Sequence, residues 1–317
     1  MPNDYKPAEQ RTMYFIGVTT GKSSIMKVFP AWAEELGLNA VIKGFDFPPN
    51  DQPEHYREVV NFIKHDPLSL GSLVTTHKIN LFKASRDLFD GIDPYTEILD
   101  EVSSISKQGD QLWGHAKDPI TAGYSLEAIV DDGYWQRTGG HMLLLGAGGS
   151  SLALTLYLHN KKLDGGDVPA KIVVTNRSSR RLEEMQEIHR KIGFDIPTEY
   201  HLSPAAEGND AIVAALPPAS MVVNATGLGK DAPGSPLTDA VVYPENGIAW
   251  DFNYRGELIF LDQANAQKAG RNLIVEDGWV YFIHGWTRVI AEVFHIDIPA
   301  SGPAFDRLCE IAAKVAR

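Results

Sequence analysis

Cysteine is almost missing from this chain: Cys309 is the only one in 317 residues. That excludes an internal disulfide and any multi-cysteine metal site, and Cys309 is expected to be a buried apolar contact on the last helix. Long apolar runs are missing as well. No stretch approaches the roughly 20 consecutive apolar residues of a membrane span, which predicts a soluble, cytoplasmic protein without a membrane partner. Positive charge is in deficit, with 29 Lys and Arg against 41 Asp and Glu and a formal charge of −12. A surface of that sign repels a phosphate backbone, so nucleic acid is not an expected partner. The segment Met1 to Thr12 has no apolar run flanked by basic residues and carries Pro2 and Pro7. It is read as neither signal nor transit peptide, but as a short disordered tail.

What is present is ordinary globular composition, 44% hydrophobic and 22% charged, in a chain longer than one core usually supports. Two α/β domains follow. In the first, β-rich runs alternate with amphipathic helices: Met13 to Val18, Ile25 to Leu36, Ala40 to Phe47, Glu54 to Lys64, Leu70 to Thr75 and Ile79 to Leu88. This alternation predicts a parallel sheet, extended by a hairpin over Val102 to His115 that turns at Gln108-Gly109-Asp110. From His141 the alternation restarts as a doubly wound nucleotide-binding block. Its strands are Met142 to Leu145, Lys171 to Thr175, Met221 to Val223 and Ile248 to Phe252, with helices over Ser151 to His159 and Arg181 to Ile192. The domains expected are 1–118 and 119–279, with the helical segment 280–317 returning to the first.

The strand ending at Leu145 runs through Gly146, Ala147, Gly148, Gly149 and Ser150 into an apolar helix. Glycines permit a tight turn and close approach to a pyrophosphate, whose charge the helix start stabilises. The third glycine of the usual pattern is Ser151 here. After the next strand stand Asn176, Arg177, Ser178, Ser179, Arg180 and Arg181, where an acidic residue would select NAD. Guanidinium groups there suit the 2′-phosphate of NADP. Asn224-Ala225-Thr226 follows another buried strand and is assigned to the nicotinamide side of the cofactor.

These segments resemble the shikimate/quinate dehydrogenase family, whose shikimate dehydrogenases use NADP. Val74-Thr75-Thr76-His77-Lys78 is similar to the family's Val-Thr-x-Pro-x-Lys, Lys117-Asp118 falls where its Asn-Thr-Asp stands, and Asp251-Phe252-Asn253-Tyr254 resembles its Asp-x-x-Tyr. The resemblance implies a dehydrogenase acting between a ring hydroxyl and a ketone on a small carboxylated cyclic substrate. It makes residues 1–118 the substrate-binding and catalytic domain, 119–279 the NADP-binding domain, and Gly278 a further cofactor contact. Quinate-type and aminoshikimate-type enzymes, and a cofactor-binding regulator without turnover, are the alternatives. A homodimer is compatible with any of them.

The departures fall on the substrate side. The family's Ser-x-Ser-Pro is Gly21-Lys22-Ser23-Ser24-Ile25 here, its Val-Asn-Thr is Val102-Ser103-Ser104, and its late substrate-binding glutamine has no counterpart in Gly278 to Trp286. Lys78 and Asp118 are the expected proton-transfer pair, facing a common cleft. Ser23 and Ser24 are expected to bind a carboxylate while also capping the first helix. Thr75, Ser103 and Tyr254 complete the substrate set. His284 is read as a polar substrate contact or a satisfied core residue, and Trp286 as core. His77 has no His or Cys partner at metal spacing, so no metal is expected.

Overall fold

The computed structural model describes residues 5–230 and 232–316. The chain begins with β1 (Thr12–Gly17), α1 (Ile25–Glu35), β2 (Val41–Asp46), α2 (Pro53–His65), β3 (Ser69–Val74) and α3 (Lys78–Ser85). It continues through β4 (Gly91–Ile92), α4 (Pro94–Leu99) and a hairpin of β5 (Ser104–Gln108) and β6 (Gln111–His115). Next come α5 (Asp118–Glu127), α6 (Tyr134–Thr138), β7 (Met142–Leu145), α7 (Gly149–Leu163), β8 (Ile172–Asn176), α8 (Ser179–Lys191), β9 (Thr198–Leu202), α9 (Ala206–Ala214) and β10 (Met221–Asn224). The remainder is β11 (Ile248–Asp251), α10 (Ile259–Asn265), α11 (Lys268–Arg271), β12 (Ile274–Glu276), α12 (Trp279–Phe294) and α13 (Pro303–Ala316). Two compact units result. One joins the residues up to Lys117 with those from Ile283 onward; the other is Asp118–Phe282.

In the first unit the sheet order is β2-β1-β3-β5-β6-β4. β1 runs parallel to β2 and β3, but β5 is antiparallel to both β3 and β6, so the sheet is mixed where the alternation alone predicts a parallel one. Every residue of β1 is buried because helices cover both faces. Tyr14 and Ile16 join Tyr56, Val59 and Ile63 of α2 and Leu81 and Phe82 of α3 on one face. On the other, Phe15 meets Trp286 of α12 edge to face at 5.0 Å, and the Trp32 indole of α1 donates to the Leu308 carbonyl of α13 at 2.9 Å. Each such side chain contributes roughly 1.5–3 kcal/mol on burial.

The amino-terminal tail is more ordered than its polarity predicts. Met1 to Asp4 lie outside the described residues, but the Tyr5 ring stacks on Phe62 at 5.3 Å and the Ala8 amide donates to Asp66 Oδ2 at 3.1 Å. One aromatic ring and one buried alanine are enough to dock the segment before β1. The average polarity of twelve residues hides both.

The second unit is built on an all-parallel sheet of order β12-β11-β10-β7-β8-β9. Alternate residues serve opposite faces, as a strand period of two requires. Leu144, Val174, Val223 and Trp250 pack against Leu154 and Leu158 of α7 and Leu182 of α8, while Leu143, Val173, Val222 and Ala249 pack against Val213 of α9 and Phe260 of α10. Thr175, Leu145, Asn224 and Asp251 stand side by side in register, so four strands end at one level. Among the described residues no helix is long and apolar enough to cross a membrane.

Candidate functional site

Beyond Leu145 the chain turns at Gly146, whose φ of +106° disfavours a side chain. A Cβ there would also lie 3.1 Å from the Ala225 carbonyl and 3.2 Å from Thr226 Cγ2. Gly148 and Gly149 differ: nothing lies within 4 Å of where their Cβ atoms would be. The space over the start of α7 is therefore open, and that helix has no acidic residue in its first turn. Its unpaired amides and positive dipole end suit a pyrophosphate. Ser151, in the place of a third glycine, is fully buried and donates its hydroxyl to the Gly146 carbonyl at 2.5 Å, closing the turn from within. Ala147 gives its amide to Asn176 Oδ1 at 3.2 Å, and Asn176 Nδ2 donates to the Ser178 carbonyl at 3.0 Å. Asn176 thus ties the glycine turn to the loop that carries the arginines.

Those arginines are not equivalent. Glu184, one turn into α8, pairs with Arg180 at 2.8 Å and with Arg181 at 2.9 Å. Arg181, one of the guanidinium groups expected to meet the 2′-phosphate, therefore has an acidic competitor, because i,i+3 and i,i+4 spacing on a helix brings such side chains together. Among the described residues no acid pairs with Arg177, which is exposed just before the start of α8 beside Ser178.

Asn224, at the end of β10, is fully buried. Its Nδ2 donates to Asp251 Oδ2 at 3.1 Å, and its Oδ1 accepts from the Thr226 amide at 3.1 Å and the Thr226 hydroxyl at 2.6 Å. Asn224 therefore shapes the loop through Ala225 and Thr226. Asp251, fully buried at the end of β11, is pushed up to about 6 by desolvation, against the bonds it accepts from Asn253 and Asn224. Gly278 gives its amide to the Asn253 carbonyl at 3.0 Å, and a Cβ there would fall 2.1 Å from the Phe252 carbonyl. Its smallness serves this packing. Tyr254 is half-buried, with Phe282 at 4.8 Å and Trp279 at 5.6 Å between ring centroids.

In the first unit, the ends of β1 and β3 gather the substrate candidates. Thr75 donates its amide to the Ile16 carbonyl at 3.0 Å, and its carbonyl accepts the amide of Lys78, the first residue of α3. Between β1 and α1, Thr20 gives Asp46 Oδ1 both its amide, at 2.8 Å, and its hydroxyl, at 2.5 Å. This clamp fixes the loop that carries Lys22, Ser23 and Ser24. No side-chain cap bond forms at Ser24, so the expected capping use of that hydroxyl is not made. Asp118 opens α5 directly before the buried Pro119, in the second unit.

Two of the expected substrate contacts are engaged elsewhere. The Ser103 hydroxyl accepts the Lys117 amide at 2.8 Å, and its residue is buried between the ends of β3 and β6. His284 is 1% exposed and stacks on Phe305 of α13 at 4.4 Å, with burial lowering it to about 4, so it lies within the core of the first unit. Trp286 is core as read. Sequence reasoning missed Asp46, Glu184 and Asn253. The signals were a carboxylate at a strand end, helical spacing to two arginines, and an amide two residues past a buried aspartate.

The two kinds of glycine separate experimentally. Gly146→Ala is expected to lower stability by about 1–3 kcal/mol, the scale of a disallowed backbone position. Gly148→Ala should leave stability within about 0.5 kcal/mol yet weaken dinucleotide binding, because no protein atom lies within 4 Å of where its methyl would stand and a ligand bound at the turn would meet it. Thermal unfolding and coenzyme titration of both variants check this; unaltered binding by Gly148→Ala would move the ligand away from the turn.

No protein-family model matches the chain. Sequence relatives do. The NADP(+) shikimate dehydrogenase of Symbiobacterium thermophilum is 26% identical over 251 residues, 78% of this chain and 76% of the relative. That of Methanopyrus kandleri is 27% identical over 270 residues, 83% of each chain. Among solved structures, the quinate dehydrogenase of Corynebacterium glutamicum in complex with NAD has a TM-score of 0.73 at 18% identity, covering 96% of this chain and 99% of its own. The fold is shared along nearly the whole length, and by sequence the chain is similar to NADP(+) shikimate dehydrogenases.

Proposed function

We propose that the chain is an NADP-dependent dehydrogenase that interconverts a ring hydroxyl and a ketone on a small carboxylated cyclic polyol. The observation that carries this reading is the pairing of an open glycine turn with an acid-free arginine, Arg177, at the next loop of the same sheet edge. The NADP(+) shikimate dehydrogenases to which it is similar support the substrate class. The residues fit the cofactor: Gly146 to Ser150 and the start of α7 would hold the pyrophosphate, Asn176, Arg177 and Ser178 the adenosine 2′-phosphate, and Asn224 to Thr226 the nicotinamide side.

Oxidation of a secondary alcohol releases a hydride and a proton. NADP, when bound, supplies the hydride acceptor. Lys78 takes the proton at Nζ, which requires the amine to be uncharged at that step; desolvation by substrate favours this. Asp118 orients the reacting hydroxyl. Lys22, Ser23 and Ser24 meet the carboxylate, with Thr75 and Tyr254 lining the ring. A quinate-type or aminoshikimate-type ring is the second reading, favoured by the engagement of Ser103 and His284 within the fold. Neither supplies the amide groups that the family directs at the ring hydroxyls.

Coenzyme choice should rest on Arg177. Arg177→Ala is expected to weaken NADP by about 1.5–3 kcal/mol, the size of a charge-assisted hydrogen bond, and to leave NAD unchanged. Arg181→Ala should matter less, and Glu184→Gln should tighten NADP by releasing Arg181. Equal losses for both coenzymes would place the phosphate elsewhere.

The proton-transfer role is tested by Lys78→Met. Turnover should fall about 10²–10⁴-fold, the usual range for general acid–base catalysis, while NADP affinity stays near wild type. A variant that keeps most of its turnover removes Lys78 from the mechanism.

A further inference from the structure

We propose that Asp251 is a positioning residue for the coenzyme, whose ionised carboxylate holds the loop from Asn224 to Leu228 in its binding form. The inference rests on the dehydrogenase reading and extends it to a residue that meets neither substrate nor cofactor.

Two donors converge on this carboxylate from opposite sides. Asn224 Nδ2 reaches Oδ2 at 3.1 Å and the Asn253 amide reaches Oδ1 at 2.8 Å. An ionised carboxylate can only accept, so it compels Asn224 to turn its NH₂ toward β11 and its Oδ1 toward the loop. There Oδ1 receives the Thr226 amide and hydroxyl, and Thr226 Oγ1 in turn receives the Leu228 amide at 3.2 Å. Asn253, fixed at its own amide by Asp251, returns Nδ2 to the carbonyls of Thr226 at 3.1 Å and Leu228 at 3.3 Å. Asp251 thus orients the side-chain amide of Asn224 and anchors the backbone of Asn253, the two residues that bracket the loop. The loop lies directly over the glycine turn, since a Cβ at Gly146 would be 3.1 Å from the Ala225 carbonyl.

The carboxylate is costly where it stands. It is fully buried, among the described residues no cation pairs with it, and the charged or titratable groups that face it are Asp277, which raises it further, and the buried Tyr243. A buried, unpaired charge destabilises a fold, so an acidic residue here is explained by its two acceptor atoms. Asparagine offers one. Burial raises this carboxyl to about 6, so acidification removes an acceptor and lets Asn224 turn.

The test uses the full chain and titrates NAD and NADP into wild type, Asp251→Asn, and the exchange variant carrying both Asn224→Asp and Asp251→Asn. In the exchange the charge moves to position 224, the bond between 224 and 251 can re-form with donor and acceptor exchanged, and the Thr226 and Asn253 amides still find an oxygen acceptor. Asp251→Asn should weaken both coenzymes by about tenfold, the scale of one hydrogen bond, unlike Arg177→Ala, which acts on NADP alone. The exchange variant should recover most of that loss, and it stands as the test if Asp251→Asn does not fold. Wild-type affinity for NAD, whose pyrophosphate does not titrate in this range, should fall about threefold to fivefold from about pH 7.5 to about pH 5.5, and Asp251→Asn should lose that dependence. A folded Asp251→Asn with wild-type affinity, or an exchange variant no better than the single one, overturns the inference while leaving the dehydrogenase reading intact. Wild type that binds neither coenzyme overturns both.

Discussion

Four parallel strands of the second unit, β8, β7, β10 and β11, stop at one level, and the chain beyond each must find hydrogen bonds that the sheet no longer supplies. That constraint organises the site. Past β8, Asn176 accepts the Ala147 amide; past β7, Ser151 closes on the Gly146 carbonyl; past β10 and β11, Asn224, Asp251 and Asn253 satisfy one another and the loop between them. Once these internal demands are met, what is left exposed at the edge includes a helix start over open space and the Arg177 guanidinium, with which no acid pairs among the described residues. Both are features that attract phosphate.

The first unit solves the same problem differently. Its loop after β1 is clamped by Asp46 from the neighbouring strand, which leaves the hydroxyl of Ser24 unused by the helix it precedes. Lys78 begins α3 immediately beyond the end of β3, anchored through its amide to Thr75. Groups available for a carboxylate and for a proton are thus carried on backbone that strand ends fix.

Much of this was legible in the sequence because it is written in local patterns. The alternation of strands and helices, the glycine turn and the hairpin at Gly109 each depend on residues within a few positions of one another, and each forms where the pattern places it. What was hidden depends on partners distant in sequence or on a single residue. The docking of Tyr5 needs Phe62, the burial of His284 needs Phe305, and the engagement of Ser103 needs the Lys117 amide. Two signals were local and went unread: Glu184 at helical spacing from Arg180 and Arg181, and Asp93-Pro94, where Asp93 caps α4 by accepting the Thr96 amide at 2.7 Å. The first changes which arginine is expected to bind the phosphate.

The central claim is that these edges serve hydride exchange between NADP and a carboxylated ring alcohol. It is tested most directly by following nicotinamide absorbance with both coenzymes across a panel of cyclic polyols, with and without a carboxylate. Turnover with NADP is expected on carboxylated rings only, with shikimate itself accepted but inferior to a related acid of different hydroxyl or amino pattern. Absence of turnover on every carboxylated ring, or equal rates on rings lacking the carboxylate, would contradict it.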